Sequence, residues 1–177
     1  MRVYIIGPEE SGKSTAARFL AQSMNLPIFE TDSAVFREIA KLCKCGDSVV
    51  QDLELISAGV DVCRDSFRKT GRYMRNLMTT LKPTALVDRH LAAYADGIVV
   101  GVQYQREVEA LTTQKRVKAC QPVWIRINRL DHDARNFELN DIPVDFDVLN
   151  ISLRGLKAKM HEIACELQPL AVQKAAA

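Results

Sequence analysis

The chain has 177 residues, of which 47% are hydrophobic and 26% are charged. This length suits one domain, and this composition excludes a disordered or fibrous protein. With 24 basic and 22 acidic residues, the formal net charge is only +2, which does not favour a nucleic-acid-binding protein, although it is compatible with one.

Membrane insertion and secretion are not expected. The sequence has no apolar run near the ~20 residues that span a bilayer, and its first ten residues do not resemble a secretory signal. The five cysteines form no regular framework, so we expect free thiols in a reducing compartment, the cytoplasm. Cys43 and Cys45 lack the second pair that a zinc site needs, and we expect no metal there.

Short apolar strands alternate with helices along the chain. Helices are predicted over residues 13–24 and 33–42, and a long amphipathic helix from Val49 is expected to end at Gly71. Further helices are predicted over 74–81, 84–96 and 107–114, and a closing helix from Leu153 to Leu167. The predicted strands are residues 2–6, 28–30, 98–102, 123–127 and 146–150.

Apolar strands that alternate with helices imply an α/β fold with a parallel sheet covered on both faces. We therefore predict one domain over residues 1–177, with three layers and about five parallel strands. The segment from about residue 128 to 145 is polar and rich in Asp and Asn, and it is predicted to be a short lid loop. Trp124, inside a predicted strand, is expected in the core.

One motif has a specific chemical meaning. Residues 7–14, GPEESGKS, fit the phosphate-binding pattern G-x-x-x-x-G-K-[ST] and lie between a predicted strand and a predicted helix. The glycines allow close approach of the backbone to phosphate, and the helix N-terminus favours anions. Lys13 is expected at the β- and γ-phosphates, Ser14 at Mg²⁺ and Thr15 at the α-phosphate. The predicted nucleotide-binding residues are Gly7, Ser11, Gly12, Lys13, Ser14 and Thr15.

This P-loop occurs in kinases, GTPases and ATPases. The base-selective N-K-x-D of GTPases is absent from the sequence. An assembly ATPase usually has a carboxylate at the end of an apolar strand, and the third predicted strand here ends without one. Asp88 is another candidate acid for Mg²⁺, although its surroundings favour a helix over a strand. A kinase that uses ATP and Mg²⁺ fits best, and a nucleotide-binding module without catalysis is the alternative.

Candidate partners of the P-loop follow the second and fourth strands. Asp32 follows the second strand, and ligands of parallel sheets gather at the carboxyl ends of strands. Its carboxylate can take a proton from an attacking hydroxyl, or it can cap a helix that begins near Ser33. Arg126 and Arg129 flank the end of the fourth strand, and Arg135 lies in the polar loop. We expect at least one of these three to contact phosphate.

A row of basic residues runs from the end of the third predicted helix into the fourth. Arg64, Arg68, Arg72 and Arg75 recur at steps of 4, 4 and 3. On a continuous helix they would form a basic stripe for a phosphate-bearing acceptor or a DNA backbone. A solvated helix face is the favoured interpretation.

The chain resembles the deoxynucleoside monophosphate kinases of bacteriophages, which are related to thymidylate-kinase-like P-loop kinases. Besides the P-loop, the resemblance rests on residues 31–38 (TDSAVFRE), 70–72 (TGR), 98–108 (IVVGVQYQREV) and 146–150 (FDVLN). The family has Asp and Arg where this chain has Gly101 and Gln103, and those charges help to hold a phosphate-bearing acceptor.

The missing charges favour a hydroxyl acceptor, such as the 5-hydroxymethyluracil in DNA that a related phage branch phosphorylates during thymidine hypermodification. The alternative acceptor is a free deoxynucleoside monophosphate. A phage origin would place the protein in the host cytoplasm. The resemblance and the positions together imply catalytic roles for Lys13, Asp32, Arg129 and Arg135, and acceptor binding by Asp32, Arg37, Arg72 and Gln103.

Overall fold

The computed structural model describes residues 1–35, 64–88, 96–113, 122–130 and 137–175. Within these ranges a parallel sheet of five strands has the order β2-β3-β1-β4-β5. The strands are β1 (Arg2–Ile6), β2 (Ile28–Glu30), β3 (Gly97–Val100), β4 (Val123–Arg129) and β5 (Phe146–Asn150). The helices are α1 (Lys13–Met24), α2 (Arg64–Leu81), α3 (Gln105–Thr113) and α4 (Leu153–Ala175).

The central strand β1 supplies side chains to both faces of the sheet, because successive residues of a strand point in opposite directions. Val3 and Ile5 pack in a cluster with residues of α1 and α4, such as Leu20 and Met160. On the opposite face, Tyr4 stacks on Trp124 of β4, with 4.5 Å between the ring centroids. This second cluster includes Val108 and Leu111 of α3. The three-layer α/β fold and the core position of Trp124 are therefore confirmed.

Several predicted elements have the expected bounds. The strands β1, β2 and β5 and the helix α1 begin and end at the predicted residues. The third strand was predicted too long, because it ends at Val100 and Gly101 then turns the chain with a φ of 96°. The fourth strand was predicted too short and continues to Arg129. The closing helix continues beyond Leu167 to residue 175.

The prediction that Gly71 ends a helix is wrong. The helix α2 continues through Gly71 from Arg64 to Leu81, and the chain leaves it before Pro83. A glycine inside a helix costs only about 1 kcal/mol, so contacts elsewhere in the molecule readily override it. Most of the predicted helices 33–42, 49–71 and 84–96 lies outside the described residues. Residues 31–35 are helical, so that helix begins two residues before Ser33.

No helix in the described ranges has the length and apolarity to cross a membrane. Among the same residues, no group of three or more His, Cys, Asp or Glu side chains is arranged to hold a metal ion. Cys165 is a free thiol, and it is exposed on α4. The predicted free thiols Cys43, Cys45, Cys63 and Cys120 lie outside the described residues.

Candidate active site

The P-loop connects the buried strand β1 to the N-terminus of α1 and packs against the ends of two other strands. Gly7 has a φ of 149°, and a Cβ at this position would lie 2.2 Å from the carbonyl oxygen of Ile127 in β4. Gly12 has a φ of 100°, and its Cβ would lie 2.5 Å from Nδ2 of Asn150 in β5. Both positions therefore favour glycine for conformation, and Gly7 also requires it for space, because the atom that a Cβ there would meet belongs to the backbone.

The polar groups of the P-loop suit a phosphate. Ser11 is fully buried, and its hydroxyl has no hydrogen-bond partner among the described residues. Ser14 and Thr15 are half-buried in the first turn of α1, which contains no acidic side chain. An unpartnered buried hydroxyl beside a helix N-terminus is suited to an anionic oxygen. The donor set that the motif predicted is thus present in one loop.

Lys13 folds back onto the loop, and its Nζ donates to the carbonyl oxygen of Pro8. Burial lowers the pKa of Lys13 from its usual 10.5 to about 8, because burial penalises the charged form. The carboxylates of Asp32 and Glu9 partly oppose this effect, and the charge of Arg75 adds to it slightly. The predicted catalytic residues Lys13 and Asp32 are therefore close enough for the charge of Asp32 to affect the pKa of Lys13.

Arg75 of α2 connects the ends of β2 and β3. Its guanidinium donates to Gly101 O at 2.6 Å, to Thr31 Oγ1 at 2.7 Å and to Asp32 Oδ1 at 2.5 Å. Thr31 Oγ1 donates in turn to Gly101 O at 2.9 Å. The Arg75 side chain is 2% exposed whereas that of Asp32 is 62% exposed, so the carboxylate faces solvent from a buried anchor.

Asp32 lies within the helical residues 31–35 and pairs with Arg75, so the interpretation of Asp32 as a cap before Ser33 is wrong. The solvated interpretation of the basic stripe is also wrong for Arg75, which is buried and was not among the predicted site residues. Its spacing is compatible with a buried position, because Arg75 lies one helical turn before Thr79, which is also fully buried. The side chains of Arg64 and Arg68 lie outside the described ones.

Arg72, one predicted acceptor-binding residue, reaches the P-loop from α2. Its guanidinium pairs with Glu9 Oε2 at 3.2 Å, and both side chains are about half exposed. Gln103, another predicted acceptor residue, lies beyond β3 and is half-buried. Its backbone N–H and that of Tyr104 both donate to Glu107 Oε2 at 3.0 Å. Burial raises the pKa of Glu107, against the effect of nearby Arg75.

The arginines of β4 differ in role. Arg126 is buried, pairs with Asp147 at 3.0 Å and donates to the carbonyl oxygens of Leu139 and Ile142. It therefore holds the chain between β4 and β5, and it lies inside β4 instead of flanking the end of the strand as predicted. Arg129 is exposed at the last position of β4. Arg37 and Arg135 lie outside the described residues and stay predictions.

Asp88 lies just after a turn that follows α2, and its carboxylate pairs with Lys82. This arrangement agrees with the preference for a helix over a strand at Asp88. The acid is therefore not at the end of a sheet strand, where a Mg²⁺-supporting carboxylate was considered.

Comparison with known proteins gives limited similarity. No family model matches the chain. A shikimate kinase of Rhodococcus jostii (strain RHA1) is 45% identical over 40 residues, which are 23% of this chain and 24% of that protein. The match thus spans about a quarter of the length of that curated relative.

Solved structures align over nearly the whole chain at low identity. A shikimate kinase from Aquifex aeolicus is 20% identical with a TM-score of 0.47, covering 97% of this chain and 99% of its own. A putative kinase from Chloroflexus aurantiacus is 15% identical with a TM-score of 0.46, covering 95% and 96%. A shikimate kinase from Acinetobacter baumannii in complex with shikimate is 12% identical with a TM-score of 0.40, covering 98% and 93%. A P-loop connects β1 to α1, and the described residues form a parallel sheet of five strands, so this chain has a P-loop α/β fold.

Proposed function

We propose that this protein is an ATP-dependent kinase that transfers the γ-phosphoryl group to a hydroxyl of a small polar acceptor. The observation that carries the proposal is the position of Asp32. Its exposed carboxylate, anchored by Arg75, lies close enough to the P-loop Lys13 to oppose the lowering of its pKa. A carboxylate beside the phosphate site suits a proton acceptor for an attacking hydroxyl.

On the donor side, the backbone of residues 7–15 and the side chains of Ser11 and Lys13 would hold the phosphates. Ser14 is the residue of the motif that would hold Mg²⁺, which neutralises phosphate charge when it is bound. Arg72 lies beside the P-loop through its ion pair with Glu9, and Arg129 lies at the end of β4. Either guanidinium, or that of Arg135, would contribute further positive charge.

In the transfer, the acceptor hydroxyl oxygen forms a bond to the γ-phosphorus while the bond from that phosphorus to the β–γ bridging oxygen breaks. The hydroxyl proton passes to the Asp32 carboxylate, and ADP leaves. The protein contributes mainly position and electrostatic stabilisation, as is usual in phosphoryl transfer. Arg75 keeps Asp32 in place without itself being exposed to the acceptor.

Gly101 favours a hydroxyl acceptor over a deoxynucleoside monophosphate. Phage monophosphate kinases have an Asp where this chain has Gly101. Here the backbone has a φ of 96°, and a Cβ would lie 2.4 Å from Thr31 Oγ1. An acidic side chain therefore does not fit this backbone. The short match to a shikimate kinase supports a small hydroxylated acid as the acceptor class, in place of 5-hydroxymethyluracil in DNA.

The test is transfer of γ-³²P from ATP to three acceptor sets in parallel. These are hydroxylated carboxylic acids including shikimate, free deoxynucleoside monophosphates, and duplex DNA with or without 5-hydroxymethyluracil. Label in the hydroxy acids is the expected result. Label only in the monophosphates or only in the modified DNA would overturn the small hydroxyl acceptor. Binding of ATP without any transfer would instead indicate the non-catalytic module.

Asp32→Asn is the first variant to test. A general base contributes about 10²- to 10⁴-fold, so kcat should fall by this range while affinity for ATP stays near that of the wild type. The matched control is Glu162→Gln, which neutralises an exposed carboxylate of α4 that is paired with Lys159. A variant Asp32→Asn with unchanged kcat would exclude Asp32 as the base.

A further inference from the structure

Asn150 ends β5 at the P-loop, 139 residues away from it in sequence. Its Nδ2 donates to the carbonyl oxygen of Ser11 at 2.9 Å, in a half-buried contact. The same Nδ2 lies 2.5 Å from the position that a Cβ of Gly12 would take. The amide of Asn150 therefore donates to one residue of the Ser11–Gly12 peptide and occupies the space that a side chain at the other would need.

That contact fixes the direction of a peptide N–H. A trans peptide is planar, and its C=O and N–H point to opposite sides. Because the Ser11 carbonyl points to Asn150, the Gly12 N–H points away from β5. Gly12 has a φ of 100°, and a glycine adopts positive and negative φ about equally well, so Gly12 itself does not fix the orientation of the Ser11–Gly12 peptide.

Asn150 is itself held on a rigid support. It pairs in register with Arg129 of β4, in the parallel β4–β5 ladder. Three residues earlier in β5, Asp147 accepts from Arg126 at 3.0 Å and from Asn128 at 2.8 Å. The donor to the loop thus comes from a fixed strand, and it can impose one orientation on a flexible glycine peptide.

We propose that Asn150 is a positioning residue for nucleotide binding, which orients the Ser11–Gly12 peptide so that the Gly12 N–H faces a phosphate oxygen. This inference rests on the proposed binding of ATP and adds a residue outside the P-loop motif to it. Asn150 does not contact the reacting atoms in this role. It acts through the peptide that it holds.

The test measures ADP affinity by calorimetry in the absence of acceptor. Asn150→Ala should bind ADP about tenfold more weakly, the size expected when one hydrogen bond that orients a binding group is lost. Asn150→Asp is isosteric, but its carboxylate repels both the Ser11 carbonyl and the phosphates, so it should bind more weakly still. The matched control is Gln168→Ala, because the Gln168 amide donates to the Ser23 carbonyl at the far end of α1.

A second readout separates positioning from general destabilisation. In an amide-resolved NMR spectrum, the Gly12 proton of the wild type should move downfield on addition of ADP, since a hydrogen bond to phosphate deshields it. In Asn150→Ala this shift should be lost while the other amides keep their folded positions. Equal ADP affinity and an equal Gly12 shift in wild type and Asn150→Ala would overturn the inference alone. Wild-type protein that binds no ADP would overturn the proposed function as well.

Discussion

Burial makes the charged form of Lys13 unfavourable in the protein without nucleotide. Its pKa is lowered to about 8 by burial, and bound phosphates would raise it again. We predict that ADP affinity is about tenfold weaker at pH 9 than at pH 7, because binding must then supply the missing proton. Calorimetry over this pH range is the measurement, with Lys13→Arg as the control, since arginine stays charged and should give a flat profile.

The stability of the free protein should respond to pH in the opposite sense. Below pH 8 Lys13 is protonated in both the folded and the unfolded chain. Between pH 8 and the usual 10.5, the unfolded chain binds more protons, so the free energy of unfolding gains a contribution that rises with pH. For the affinity prediction, an ADP affinity of the wild type that does not change between pH 7 and pH 9 would show that Lys13 is not the cation that binds phosphate.

At this scale the sequence predicted the P-loop residues but not their supports. A motif is a local pattern, so Gly7, Gly12 and Lys13 could be read directly from the chain. Arg75 and Asn150 act through contacts with residues that are 43 and 139 positions away, respectively. Nothing in the local pattern of one sequence indicates these partners, and the basic spacing around Arg75 favoured a solvated face instead of the buried one that it occupies.

The helix α2 shows how long-range contacts override a local propensity. Gly71 was expected to end it, yet the helix continues through this residue. Arg75 is anchored by Gly101, Thr31 and Asp32, and Arg106 donates to Thr79 at 2.8 Å. These contacts fix the C-terminal half of α2 and outweigh the small cost of one glycine. By contrast, β1, β2 and β5 have apolar runs with clear breakers at their ends, and their bounds were predictable.

Gly71, inside α2, and Gly101, just after β3, should therefore respond to substitution by alanine with opposite changes in stability. Gly71→Ala should raise the free energy of unfolding by about 0.5–1 kcal/mol, because alanine loses less backbone entropy in a helix interior. Gly101→Ala should lower it by at least about 1–2 kcal/mol, because of its φ of 96° and the 2.4 Å approach to Thr31 Oγ1. Urea denaturation of both variants is the measurement. Destabilisation by Gly71→Ala would indicate that α2 is interrupted at this glycine.

On the scale of the whole molecule, the P-loop is a junction between elements from distant parts of the chain. It approaches the backbone of β4 at Ile127 and contacts Asn150 of β5, and Leu156 of α4 lies 3.5 Å from the Cβ position of Gly12. Glu9 pairs with Arg72 of α2, and the same helix carries Arg75, which pairs with Asp32. A ligand in this loop would thus stabilise contacts on both sides of the sheet.

We predict from this arrangement that ADP stabilises the described fold as one cooperative unit. At a free concentration of 100 times Kd, a ligand that binds only the folded state adds about 2.7 kcal/mol to the free energy of unfolding. The urea midpoint should therefore rise with ADP while the m-value stays constant, because the same surface is exposed on unfolding. Lys13→Met should show little or no rise at the same ADP concentration, since the phosphate cation is absent. An m-value that changes with ADP, or a second transition, would show instead that the nucleotide stabilises only the part of the molecule around the P-loop.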